Sequence, residues 1–140
     1  MSNKMSREQM DALIKEHWDA EVARDPKAAA AMMSDDVDHD VVGYPGGPIV
    51  GPNKVIERYS QMFSTFRTTK YTTKPHLYGD NFVIEEAEME GVAEGRFLGF
   101  DGQNRPVKFR LLHVFEFADG KMTREQVWLD HGSVMHQLQP

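Results

Sequence analysis

The hydrophobic pattern of this chain changes period once, near Thr68, and does not change back. Before it, apolar residues recur at helical spacing; after it, they alternate along four successive segments. Helices first and consecutive strands afterwards, without βαβ alternation, predict an α+β domain. Its mostly antiparallel sheet carries the helices on one face. The 140 residues suffice for one domain with its own core.

The first helix is expected from Ser6, because Ser6 and Gln9 have capping-box spacing and Met10, Leu13, Ile14, His17 and Trp18 follow at helical intervals. Asp25-Pro26 opens a second, alanine-rich helix. DDVDHDVV reads as a short strand with Val37, His39 and Val41 on one face. GYPGGPIVGP is a loop. Pro52 starts a third helix with Val55, Ile56, Tyr59, Met62, Phe63 and Phe66 as its apolar stripe. TKYTTKPHLY, FVIEEAEMEGVAEGRFLGF, VKFRLLHVFEF and MTREQVWLD are the four strands, with turns at Gly79-Asp80-Asn81 and Ala118-Asp119-Gly120.

Composition narrows the function. Sixteen basic against twenty-two acidic residues leave a net charge of −6 and no basic cluster for nucleic acid. No apolar run approaches the roughly 18 residues of a membrane span. The first ten residues lack the apolar middle of a secretory leader, so a cytoplasmic protein is expected. The absence of cysteine removes disulfides, thiolate metal sites and thiol nucleophiles. No HEXXH, GxGxxG, Walker loop or nucleophile elbow occurs, so neither a metal nor a cofactor is expected.

A curved sheet over helices leaves a cone whose open end can take a small hydrophobic molecule. In VKFRLLHVFEF, Phe109, Leu111, His113, Phe115 and Phe117 share a face, apolar except for His113. A histidine there is either a satisfied core residue or a poised acid/base group. In the last strand Gln126, Trp128 and Asp130 share a face. If Trp128 faces the cone, Asp130 stands beside an indole, where lost solvation would make it a better base; otherwise it is a solvated strand end. His17 and His39 also sit on apolar faces, where packing is the plainer reading. His17, His39, His113 and Asp130 aimed at one apolar space would form a site. Trp18, Tyr59, Phe63, Phe115 and Trp128 would hold the ligand's body beside His17. Leu112, Val114, Val127 and Leu129 read as outward apolar positions, which a second copy would cover as a homodimer through the sheet face. Glu86, Glu88 and Glu90 read as a solvated acidic face.

VDHD at Val37–Asp40, GVAEGRFLGF at Gly91–Phe100, VFEFADGKM at Val114–Met122 and the terminal WLD…HQL resemble the SnoaL-like polyketide cyclase branch of the nuclear-transport-factor-2-like superfamily. The resemblance spans about residues 8 to 138 and implies a cone-shaped sheet around three N-terminal helices. It implies a final-strand aspartate, Asp130, as acid/base in an aldol ring closure. Gly91 and Ala93 stand where epoxide-hydrolase-like relatives carry an Arg-x-Asp pair, which argues against epoxide hydrolysis. His113, His39 (or Asp40) and His17 occupy places that differ in residue type from ketosteroid-isomerase-like relatives. Dehydratase-like relatives do use pocket histidines. The expectation is a cofactor-independent acid/base enzyme on a hydrophobic carbonyl compound, with Asp130 as base and His113 or His39 donating to the enolate oxygen. The competing class is a non-catalytic binding or dimerisation module of the same fold.

Overall fold

The computed structural model describes residues 4–139. Helix α1 (Arg7–Val22) starts at the predicted capping box, with Ser6 accepting from the Gln9 amide and Gln9 accepting from the Ser6 amide. Helix α2 (Pro26–Ala30) is capped by Asp25 with proline in its first turn. Strand β1 (Met33–Val42) and the short β2 (Ile49–Val50) precede helix α3 (Pro52–Thr65). Then come β3 (Phe66–Thr73), β4 (Leu77–Gly79), β5 (Phe82–Ala93), β6 (Arg96–Phe97), β7 (Phe100–Asp101), β8 (Arg105–Ala118) and β9 (Lys121–Leu129). A fourth helix, α4 (His131–Leu138), ends the chain's described part.

The main sheet is curved and unclosed, in the order β2-β1-β9-β8-β5-β3 with β4 on β5. Only β1 and β9 run parallel; the other pairs are antiparallel. This is the expected α+β architecture. Asp119 and Gly120, both with positive φ, make the two-residue turn between β8 and β9 that matches the right-handed strand twist.

Three local expectations are corrected. The segment TKYTTKPHLY is two strands, because Pro75 cannot donate to a ladder. GVAEGRFLGF does not continue β5: the strand ends at Ala93 and a small β6–β7 hairpin follows. The third concerns the faces of β9. Phe117 pairs with Met122, but Glu116 pairs with Arg124, so the ladder slips by one residue at Thr123. A one-residue slip exchanges the two faces of a strand. Met122, Glu125 and Val127 are therefore buried, and Trp128 is 49% exposed on the outer face. Val127 and Leu129, expected outside, point inward; Leu112 faces out as expected, at 38% exposure, directly opposite Trp128.

Two apolar clusters fill the space between sheet and helices. One gathers Met10, Ile14, Val37, Val55, Val83 and Phe115; the other gathers Phe66, Phe97, Phe109, Leu111, Val127 and Val134. No described helix is long and apolar enough to cross a membrane.

Candidate active site

A cavity of about 690 Å³, open mouth included, lies between the inner face of the sheet and helices α1 and α3. Trp18, Phe63, Phe97, Phe109, Leu111 and Val127 wall it. Glu21, His39, Tyr59, His113 and Glu125 border the same space.

Strand register brings the polar residues together. β1 sets His39 beside Glu125 of β9, and β8 sets His113 beside Val127 and Phe115 beside Glu125. Glu85 of β5 lies opposite His113. Side chains of directly opposed residues project to the same face, so four strands contribute one polar belt. Helix α1 adds His17 and Glu21, one turn apart. Helix α3 adds Tyr59.

The Tyr59 hydroxyl is the hub. It lies 3.1 Å from His17 Nε2 and 3.2 Å from His39 Nε2, and it donates to Glu125 Oε1 at 2.5 Å. A hydroxyl offers two lone pairs and one proton, so these three bonds use it fully. His17 Nδ1 lies 2.8 Å from the Ala29 carbonyl, which can only accept; Nδ1 therefore carries a proton. His17 Nε2 is also 2.9 Å from Glu125 Oε2 and 3.6 Å from Glu21 Oε1. His39 Nε2 is 2.9 Å from Glu125 Oε1. His113 stacks on Phe115 with centroids 5.1 Å apart, and its Nε2 is 3.8 Å from Glu125 Oε2. His113 Nδ1 has no hydrogen-bond partner among the described residues.

These surroundings push the titrating groups apart. Burial opposes the charge on His17, but the adjacent Glu125 carboxylate outweighs it and lifts His17 to about 10. Burial likewise opposes ionisation of Glu125, yet His17 and His39 hold it well below the usual carboxylate range. Glu21 goes the other way. Burial, aided by the Glu125 charge and opposed by His17, raises it to about 7. Burial lowers His113 to about 4, so it is neutral near pH 7. Burial, then the Glu125 charge, lifts Tyr59 well above its ordinary value, so it keeps its proton.

The expected site residues divide into three groups. His39, His113, Trp18, Tyr59 and Phe63 border the cavity. His17 and Phe115 lie one layer behind it, fully buried against Tyr59 and His113. Trp128 and Asp130 are not among the lining residues. Trp128 is turned outward by the slip at Thr123, which corrects its expected place in the pocket. Asp130 is the N-cap of α4 and accepts from the Ser133 amide at 3.2 Å. The carboxylates at the cavity are instead Glu125 and Glu21, which were not among the expected site residues. Glu21 had a readable signal, standing four residues after His17 on the same helical face. Glu125 had none, since its face depends on the slip.

Glu85 is a third unexpected carboxylate, and it is buried. It accepts from Trp18 Nε1 at 3.0 Å and Tyr71 Oη at 2.6 Å, and it meets His76 Nε2 at 2.6 Å. His76 Nδ1 in turn lies 2.8 Å from Asp11. This chain anchors Trp18, whose ring meets Tyr71 at 4.0 Å and His113 edge-on at 5.0 Å. The three acidic residues after it in β5 do face away, as expected, and pair with Lys74, Lys108 and Lys70.

His17, Glu21 and Glu125 hold ligand-type atoms within 4.8 Å of one another, the donor types a divalent cation takes. With His17 as the imidazolium, its contacts to Tyr59 and Glu125 account for the same arrangement as an ion pair.

The curved sheet and its helices together define a nuclear-transport-factor-2-like, ketosteroid-isomerase-like fold. The chain belongs to the SnoaL-like polyketide cyclase family, which it matches over residues 9–138. Similar solved structures include a candidate polyketide cyclase from Silicibacter sp. TM1040, 21% identical, with a TM-score of 0.82 over 97% of this chain and 99% of that one. A candidate SnoaL-like polyketide cyclase from Jannaschia sp. CCS1 is 17% identical, with a TM-score of 0.82 over 97% and 96%. A candidate isomerase from Rhodopseudomonas palustris is 20% identical, with a TM-score of 0.77 over 96% and 98%. No curated protein matches the sequence. Family membership points to a cyclase- or isomerase-type function.

Proposed function

We propose that the protein is an acid/base enzyme of the cyclase or isomerase type that moves a proton beside the carbonyl of a hydrophobic small molecule. One observation carries this reading: two carboxyl groups flank His17 at the same cavity, and their surroundings set one as a permanent anion and the other near pH 7. Titratable neighbours driven apart in this way separate the group that exchanges a proton from the group that stays charged.

Glu21 then takes the proton from the carbon next to the carbonyl, and the electron pair moves to the carbonyl oxygen as an enolate. His113, neutral and buried, offers a ring N–H to that oxygen. In a cyclisation, the enolate carbon attacks a second carbonyl of the same molecule and the new alkoxide takes the proton back from Glu21. In an isomerisation, Glu21 returns the proton to a different carbon. Trp18, Phe63 and Phe109 hold the apolar body.

Enolisation can be read without the natural substrate. We expect the protein to accelerate hydrogen–deuterium exchange at the α-carbons of 2-tetralone in D₂O, followed by proton NMR. Asp130→Asn keeps that exchange within about threefold of the parent, because asparagine caps a helix as well as aspartate does. Loss of exchange in Asp130→Asn would return the base to Asp130. No acceleration by the parent protein would favour a non-catalytic binding module.

The outer face of the sheet supports a second copy of the chain as partner, since Trp128 and Leu112 form a cross-strand apolar pair left open to solvent. Trp128→Glu is expected to halve the mass seen by light scattering after size exclusion. A parent protein already monomeric at micromolar concentration would sink this part.

A further inference from the structure

We propose that Arg58 is a positioning residue that fixes the direction of the hydrogen-bond chain ending at Glu125, and thereby leaves Glu21 as the carboxyl that exchanges protons. The proposal rests on the reading of Glu21 given above and deepens it.

Arg58 leaves α3 toward β1 and is 6% exposed. Its Nη1 donates to the His39 carbonyl at 3.2 Å and to His39 Nδ1 at 3.3 Å, and its Nη2 donates to the Gly47 carbonyl at 2.5 Å. Its guanidinium also lies over the Tyr44 ring, 5.6 Å from the centroid. Burying a guanidinium is costly, so its contacts have to repay the lost hydration. One of them has a chemical consequence. A guanidinium only donates and keeps its protons at any pH a folded protein meets. His39 Nδ1 must therefore present a lone pair, and the ring proton must sit on Nε2.

The rest follows in one direction. His39 Nε2–H donates toward the Tyr59 oxygen at 3.2 Å, and Tyr59 donates its only proton to Glu125 Oε1 at 2.5 Å. His17 Nε2 reaches the same tyrosine oxygen at 3.1 Å, filling its second lone pair. Every link from Arg58 to Glu125 runs donor to acceptor. The reverse order would need a proton on Glu125, donation from Tyr59 to His39 Nε2, and an N–H on His39 Nδ1 pointing at the N–H of Arg58. Two donors facing each other in a buried site are repelled, and neither is satisfied. Arg58 so excludes the reverse chain. Glu125 stays an acceptor, and of the two carboxyls beside His17, only Glu21 is free to gain and lose a proton.

The histidine tautomer can be read directly, with no substrate. Full-length protein labelled with ¹⁵N-histidine is examined by long-range ¹H–¹⁵N correlation, with His39 identified by its absence from His39→Gln. The expected parent spectrum has a pyridine-type Nδ1 and a pyrrole-type Nε2 at His39. Arg58→Lys, which keeps a donor, retains that pattern. Arg58→Met lets the proton move partly to Nδ1, and the two nitrogen shifts converge. In 2-tetralone exchange, Arg58→Met also moves the position of the neutral-pH limb, because Glu125 begins to share the proton. A pyrrole-type Nδ1 in the parent overturns the proposal, as does an unchanged His39 pattern in Arg58→Met. If Arg58→Met does not fold, the parent and Arg58→Lys spectra decide: loss of the pattern in Arg58→Lys with the fold intact is equally fatal. A changed tautomer with an unmoved pH limb removes the link to Glu21. Failure of exchange in every variant would bear on Glu21 alone, since the spectra need no turnover.

Discussion

Glu125→Gln is expected to lower the unfolding free energy by about 3–5 kcal/mol, the range for breaking a buried ion pair by removing one partner. The carboxylate is almost fully enclosed and is the anion that His17, His39 and Tyr59 all meet. The amide keeps the shape but leaves the buried imidazolium with only the more distant Glu21 carboxyl, 3.6 Å away, as a counter-charge. Urea unfolding followed by circular dichroism measures the loss, and a change below about 1 kcal/mol would show that the Glu125–His17 pair carries little of the stability.

The same variant has a signature in pH. Folded His17 titrates near 10, against 6.5 for its ordinary value. Between those values the folded state holds a proton that the unfolded chain has released, so stability falls as pH rises through that window. The contribution is fully present below about 6.5 and gone above about 10. Glu125 adds the acid limb: its folded value is depressed, so its contribution is present above 4.5 and is lost as pH falls through the folded value. Unfolding midpoints of the parent should therefore decline steadily from neutral to alkaline pH. Glu125→Gln should flatten that decline, because His17 loses the nearer of its two carboxyl neighbours.

Glu21→Gln is expected to cut 2-tetralone exchange by about 10²–10⁴-fold, the scale of a general base. The parent rate should rise with pH through a limb near 7, where Glu21 becomes the carboxylate, and the variant should lack that limb. The stability effect has the opposite sign from Glu125. Folded Glu21 titrates above its ordinary 4.5, so between 4.5 and about 7 the folded state holds the extra proton and stability falls as pH rises. Above that window the ionised group remains a fixed cost. Glu21→Gln should thus be as stable as the parent or more stable at mildly alkaline pH while losing activity, a pattern typical of groups kept for chemistry rather than for folding. A variant that unfolds more readily and still exchanges would reverse both roles.

The inner face of β8 was readable because its alternation runs unbroken, so Phe109, Leu111, His113 and Phe115 could be assigned together. The inner face of β1 was readable for the same reason, and it placed His39 correctly beside Val37 and Val41. The same logic misplaced Trp128. Alternation gives the relative orientation of neighbours but not which set faces the core, and one unpaired residue at Thr123 reverses the answer. Asp130 takes its place for a related cause: the chain turns into α4 immediately after β9, which makes the aspartate a helix cap.

The amino-acid order alone determined the class of fold, the starts of α1, α2 and α3, the tight turn at Asp119-Gly120 and the family, because these depend on local periods, caps and motifs. Which carboxylates reach the cavity was decided only in the tertiary structure. Glu125 meets Tyr59, His39 and His17, which lie on three other elements and stand 66, 86 and 108 positions before it in the chain, and the charges on Glu125 and His17 depend on burial and on these neighbours.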